Sequence, residues 1–218
     1  MSPPRTTRMP RDERRHQVLE VALDLFSRDG FHHVSMDDIA ERAQVSKPVL
    51  YRHFPSKLDL YLAVVDHRGE ALVAAVDEAL AGVGARPLSA GQAVVESVAE
   101  AIVSAYVRFV AESGDSFALL FESDVTHDDA VRERVEHASR QVALALRRGL
   151  QSSTGLGQDD ADLVATVLLS MATATATFTY RASTVPVDRA VDLISRLVWG
   201  GVSSLPRPRP SAGDPAGP

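Results

Sequence analysis

Residues 35–57, SMDDIAERAQVSKPVLYRHFPSK, constrain this chain more than any other stretch. They read as two short helices joined by a tight turn. The first opens at Ser35, and Asp38 three residues on makes a capping arrangement with a shorter acid than the usual Glu or Gln. Ile39, Ala40, Ala43 and Val45 supply its apolar contacts, while Asp37, Glu41 and Arg42 stay solvated. The passage through Gln44 and Val45 is short enough to turn one helix sharply against the next. The second helix opens at Ser46, whose hydroxyl is expected to cap it by accepting a backbone N–H. Pro48 falls at about the second helical position, where a missing N–H removes no intrahelical bond. Leu50 and Phe54, four apart, face inward together.

The other positions of this second helix carry an ammonium, a phenol, a guanidinium and an imidazole, on Lys47, Tyr51, Arg52 and His53. Such groups bond phosphates and base edges. A surface helix with ordinary solvated charges has a similar composition. Lysine usage argues against that reading, because the chain's only two lysines, Lys47 and Lys57, bracket the helix. DNA binding is the expectation.

The segment Leu25 to Leu62, LFSRDGFHHVSMDDIAERAQVSKPVLYRHFPSKLDLYL, closely resembles the N-terminal DNA-binding domain of the TetR family of transcriptional regulators. Two positions depart from the family pattern. Gln44 stands where the family often has Gly in the turn, so a residue with a Cβ must accept that backbone. Pro48 stands where Gly is common and stiffens the start of the recognition helix. The resemblance implies phosphate contacts from Tyr51, His53 and Lys57 and base-edge contacts from Lys47, Val49 and Arg52. Ser35, Ser46 and Pro48 complete the DNA-binding set. It also implies a homodimer formed through the last two helices, roughly 160–182 and 187–204, on a palindromic operator with half-sites about 34–36 Å apart or a multiple of that.

The net charge of −6 is unevenly distributed. Residues 1–58 hold ten Lys/Arg against eight Asp/Glu, while the remainder holds 13 against 21. A locally basic surface suffices for phosphate binding, and an acidic body disfavours non-specific coating of DNA. Arg5, Arg8, Arg11 and Arg14 lie in a Pro/Thr-rich stretch that reads either as an inert tail or as an arm reaching phosphates or the minor groove. The N-terminus has no apolar run of the secretory type, and the absence of cysteine excludes a disulfide framework or thiolate zinc site. The most apolar stretch, Leu163 to Phe178, reads as shorter than a membrane span and broken by threonines. A cytoplasmic, non-membrane protein is expected.

The fold class predicted is all-α with about nine helices. It divides into a basic arm (1–11), a three-helix helix-turn-helix domain (12–57), a helical effector-binding and dimerisation domain (58–205) and a tail (206–218) with no regular structure. Helix one covers about Asp12 to Arg28, buries Val18, Leu19, Ala22, Leu25 and Phe26, and stops at Gly30. A fourth helix starts at Ser56 with Leu58, Leu62, Val65 and Leu72 on its apolar face. Five more span about 89–112, 116–123, 128–152, 160–182 and 187–204. One passage, Ala172 to Tyr180 (ATATATFTY), alternates with period two and locally favours a strand. A helix is still expected there, since an isolated strand has no partner.

The family's ligand chamber, carried over by resemblance, has a candidate lining in Tyr106, Phe109, Phe117, Leu120, Phe121, Thr175 and Phe178. Large apolar groups beside Thr173, Thr175, Thr177 and Tyr180 suit a small apolar or amphipathic effector, with a fatty-acyl chain among the candidates. Repression relieved by that effector is the family default. The alternatives are a dimeric DNA-binding scaffold or activator without small-molecule response and, last, an enzyme. No nucleophile elbow, phosphate loop, dinucleotide fingerprint or His-Glu-x-x-His pair is present. The pairs Asp37–Asp38, Asp128–Asp129 and Asp159–Asp160 fall at helix starts, where acids complement the dipole. No cofactor is implied, and His127, Asp128 and Asp129 lack metal-ligand spacing.

Overall fold

The computed structural model describes residues 10–84, 92–114, 128–182 and 184–202, and every regular element among them is α-helical. There are eight: α1 (Arg11–Asp29), α2 (Met36–Arg42), α3 (Lys47–His53), α4 (Lys57–Gly84), α5 (Gln92–Ser113), α6 (Asp129–Thr154), α7 (Gln158–Ala182) and α8 (Val187–Val202). The helix expected at 116–123 and the tail from Pro206 lie outside the described residues.

The chain divides into two compact units, residues 1–71 with 113–139, and residues 72–112 with 140–218. Helices α4 and α6 each continue from one unit into the other. The first unit is built on one apolar cluster. Val18, Leu19, Ala22, Leu25 and Phe26 of α1 meet Ile39 and Ala40 of α2, Leu50 of α3 and Leu60, Tyr61, Val64 and Val65 of α4. Val131 of α6 closes it. The α4 stripe matches the expected one in part: Val65 and Leu72 are buried, Leu58 and Leu62 are only half-buried, and Leu60 and Tyr61 are fully enclosed. Tyr61 stacks edge-on against Phe26 and Phe31, with ring centroids 5.4 and 5.1 Å away.

Local signals terminate the elements. Gly30 takes φ 80°, open to glycine and costly for other residues, and donates its N–H to the Phe26 carbonyl at 3.0 Å. Ser35 and Asp38 form the reciprocal capping box of α2: Asp38 N–H donates to Ser35 Oγ at 3.1 Å, and Ser35 N–H to Asp38 Oδ2 at 2.9 Å. Ser56 caps α4 by accepting from Asp59 N–H at 3.0 Å. Farther along α4, a Cβ added to Gly69 would stand 2.8 Å from the Ala138 Cβ of α6, so these helices approach more closely than any larger residue permits.

In the second unit, α7 buries a stripe of small residues, Ala161, Ala165, Leu168, Ala172 and Ala176. This four-residue rhythm overrides the period-two alternation of 172–180. The threonines fit because their hydroxyls donate back along the helix, Thr175 to the Met171 carbonyl at 2.7 Å and Thr179 to that of Thr175 at 3.0 Å. Read from sequence, the apolar stretch is too short for a membrane span; the helix of 25 residues is not. By length and composition α7 is able to cross a bilayer, with a mean hydropathy of 1.5 over its most apolar window. Helices α7 and α8 pack against each other.

Candidate nucleic-acid interface

Helix α3 is held from below and bare above. Leu50 and Phe54 are 0% and 2% exposed, while Lys47, Pro48, Tyr51 and Arg52 face solvent. The turn before it depends on Gln44, which adopts φ 53°, the left-handed conformation that its non-glycine side chain must tolerate. Ser46 does not cap α3 through its hydroxyl. A capping side chain accepts from the second or third amide of a helix. The second belongs to Pro48, which has no N–H, and the third, from Val49, donates to the Ser46 carbonyl at 2.9 Å. The exposed hydroxyl is therefore left facing solvent with α3's other polar groups.

Two grooves flank the helix. One, of about 700 Å³, is lined by Pro10, Arg11 and Arg14 of α1's start and by Gln44, Val45, Ser46, Val49, Arg52 and His53. It is strongly cationic. The His53 imidazole is held below its ordinary value of 6.5, first by burial and then by Arg11, Arg52 and Arg15, with Asp12 opposing. Arg15 lies over the Phe54 ring at 5.2 Å. The other groove, of about 420 Å³, is lined by His32, His33, Val34, Ser35, Met36, Asp37, Tyr51 and Lys57.

Seven of the nine residues picked from the sequence line these grooves, Ser46, Val49, Arg52 and His53 on one side and Ser35, Tyr51 and Lys57 on the other. Lys47 and Pro48 stand at the tip. Both lysines have protein partners. Lys47 Nζ lies 2.7 Å from Asp37 Oδ2. Lys57 Nζ donates to the carbonyls of Phe31 and Val34 at 2.8 and 2.9 Å and sits 4.4 Å from the Phe31 ring centroid. Arg11 and Arg14 belong to helix α1, whereas Arg5 and Arg8 lie outside the described residues. Sequence reasoning left Arg15, His32 and His33 out of the site, because no local pattern shows that they come beside α3.

The sequence profile of the family described as bacterial regulatory proteins, tetR family, matches residues 18–64, which span α1 to the start of α4. The similarity extends well beyond that segment. Over 207 residues, 94% of this chain and 90% of its relative, the protein is 34% identical to the transcriptional activator FasR of Mycolicibacterium smegmatis. The chain belongs to the TetR family. A TetR-like transcriptional regulator from Rhodococcus sp. RHA1 shares its fold at a TM-score of 0.63 and 31% identity, with 91% of this chain and 100% of that one aligned. The repressor KstR of Mycolicibacterium smegmatis matches a shorter stretch, 41% identical over 71 residues, 32% of this chain and 35% of the relative. As a TetR-family member, the protein is a DNA-binding transcriptional regulator and not an enzyme.

The residues expected around an effector are dispersed. Tyr106 is buried, and burial pushes its hydroxyl up to about 12, against a hydrogen bond shared with Thr173. Phe109 lines an open groove of about 260 Å³ with Ala75, Ala79 and Ala105. The Thr175 hydroxyl is committed to its own helix, and Phe178 is 55% exposed. Phe117, Leu120 and Phe121 lie outside the described residues, as does His127. Asp128 Oδ1 accepts from Ala130 N–H at 2.9 Å, a capping role at the start of α6.

Proposed function

We propose that this TetR-family regulator binds a palindromic operator as a homodimer and represses transcription until a small apolar or amphipathic effector, with a fatty-acyl chain among the candidates, releases it. The reading is carried by the bare polar face of α3 between two grooves, one ringed by Arg11, Arg14 and Arg52. Ser35, Ser46, Lys47, Pro48, Val49, Tyr51, Arg52, His53 and Lys57 form the DNA-contacting set, with Arg52 and Val49 at base edges.

Dimerisation is supported by exposed apolar stripes on the last two helices. Leu163, Val167 and Phe178 of α7 are 66%, 49% and 55% exposed, and Leu193 and Leu197 of α8 are 45% and 62% exposed. Large apolar side chains left exposed at helical spacing on two helices that pack together suit an interaction surface. Phe178 is better explained there than beside an effector. We assign the effector site to the second unit, where the buried Tyr106 shares a hydrogen bond with Thr173. Arg108 is paired with Asp188 at 2.7 Å, which favours an effector without a strong anionic demand. The protein acts in the cytoplasm, where its operator is.

Selection of duplexes from a random pool by the purified protein tests the reading. Enrichment of one palindrome is expected, and Leu163→Glu with Leu197→Glu should yield a folded monomer that no longer enriches it. Recovery of unrelated sequences by a folded dimer at low salt would overturn it. A second reading, activation, is favoured by the near full-length similarity to an activator. Transcription in vitro from the selected site separates the two by the sign of the response.

A further inference from the structure

Helix α1 and the first unit's part of α4 bring together three side chains that the regulator reading leaves unused. His16 and Glu20 are four apart on α1, and therefore share a face. His67 of α4 meets them: its Nε2 lies 3.0 Å from Glu20 Oε1, and His16 Nε2 lies 3.9 Å from the same oxygen. The imidazoles stand edge to face with centroids 5.3 Å apart. One ligand atom from each residue lies within 4.8 Å of the others.

We propose that His16, Glu20 and His67 bind a divalent transition-metal ion, zinc foremost, which holds α1 against α4 in the DNA-binding unit. Two imidazoles and one carboxylate are a ligand set that suits zinc, nickel or cobalt over magnesium or calcium. Ligands about 2.0–2.2 Å from a tetrahedral zinc stand about 3.3–3.6 Å from one another. The two separations to Glu20, 3.0 and 3.9 Å, bracket that range, and the ligand atoms of the two imidazoles lie within 4.8 Å of each other, so closing on an ion takes side-chain rotation without moving the helices. His67 is half-buried and placed by its helix, whereas His16 and Glu20 lie on the surface, which leaves an approach path and an open position for water. Arg68, next along α4, feels Glu20, but its guanidinium donates to the Ser113 hydroxyl. The competing explanation is an ordinary His67–Glu20 ion pair in which His16 has no part.

The test uses the full chain without a histidine tag, stripped with chelator and titrated with Co²⁺ alone and then with Zn²⁺. Visible d–d bands that saturate at one ion per chain and vanish on Zn²⁺ addition are expected. The melting temperature should rise by about 5–10 °C at a hundredfold excess over the Kd, since the ion binds the folded state. His16→Ala and His67→Ala should each weaken binding at least about tenfold, while His137→Ala, at an exposed position on α6, should not. His16 is exposed, so its variant folds and keeps the test decisive. Absence of d–d bands, or a His16→Ala protein that binds Co²⁺ as tightly as the parent, would overturn the site.

Discussion

The Lys47 ammonium lies 2.7 Å from the Asp37 carboxylate and ties the tip of α3 to α2. Both groups are exposed, so the pair adds little to stability. Its importance is electrostatic: Asp37 places a negative charge next to a cation expected to meet DNA. Asp37→Asn should leave the melting temperature nearly unchanged and raise affinity for all duplexes about two- to fivefold, an effect that shrinks as salt screens the carboxylate's repulsion of the DNA. Binding isotherms at several salt concentrations measure this. A weaker-binding variant would mean that the pair orients Lys47 instead of screening it.

Lys57 reaches back to two carbonyls of the α1–α2 connection, those of Phe31 and Val34, which lie 26 and 23 residues away in sequence. A pure phosphate contact would alter affinity alone. The structure adds a strap, so Lys57→Ala should cost about 1–2 kcal/mol of folding stability as well as binding to every duplex. Urea unfolding followed by circular dichroism checks the first part. An unchanged midpoint would return Lys57 to a phosphate role only.

Gln44 occupies a left-handed backbone conformation at φ 53°. Such a conformation costs an L-residue roughly 1–2 kcal/mol, and glycine returns about 0.5–1 kcal/mol of that as unfolded-state entropy. Gln44→Gly should therefore stabilise the protein by about 0.5–1 kcal/mol, seen as a higher urea midpoint with unchanged slope. A lower midpoint would show that the Gln44 side chain contributes more than its backbone costs.

His53 is the pH-sensitive member of the site. Burial and three neighbouring arginines hold its free-state value below 6.5, and a phosphate beside it would favour the protonated ring. DNA binding then takes up a proton. Affinity should rise as pH falls through the window between the higher DNA-bound value and the lowered free value, by at most about tenfold per pH unit. Comparison with His53→Asn isolates this from His32 and His33. Parallel pH profiles for parent and variant would remove His53 from the phosphate contacts.

The helix-turn-helix was legible because its signals are local. Ser35 with Asp38, Gly30 and Ser56 each terminate or start a helix through partners within four residues. The same locality bounds one expectation: Ser46 is a capping residue by type, but Pro48 removes one of the two amides its hydroxyl could use, and the other, from Val49, goes to the Ser46 carbonyl. Of the stripe expected on α4, Val65 and Leu72 are buried and Leu58 and Leu62 only half so, because a helix that is apolar on several sides does not reveal which side faces the core most directly. Packing of Leu60, Tyr61, Val64 and Val65 into the cluster, with the Phe26 and Phe31 rings against Tyr61, shows which side that is. The threonine run of α7 is ambiguous in local periodicity, and burial of Ala165, Leu168, Ala172 and Ala176 along one face decides for the helix, with the Thr175 and Thr179 hydroxyls accommodated on preceding carbonyls.

The sequence by itself determined where helices start and stop, the identity of the reading helix and the chemical groups it carries. Those follow from capping, turn geometry and spacing over three or four residues, which are written into adjacent positions. The tertiary structure alone decided which partners those groups keep. Phe31 and Val34 hold Lys57, Arg11 and Arg15 surround His53, and His67 comes to Glu20 from 47 residues away. Such contacts arise from packing of distant segments, and no local pattern encodes which two side chains that packing will bring within a few ångströms.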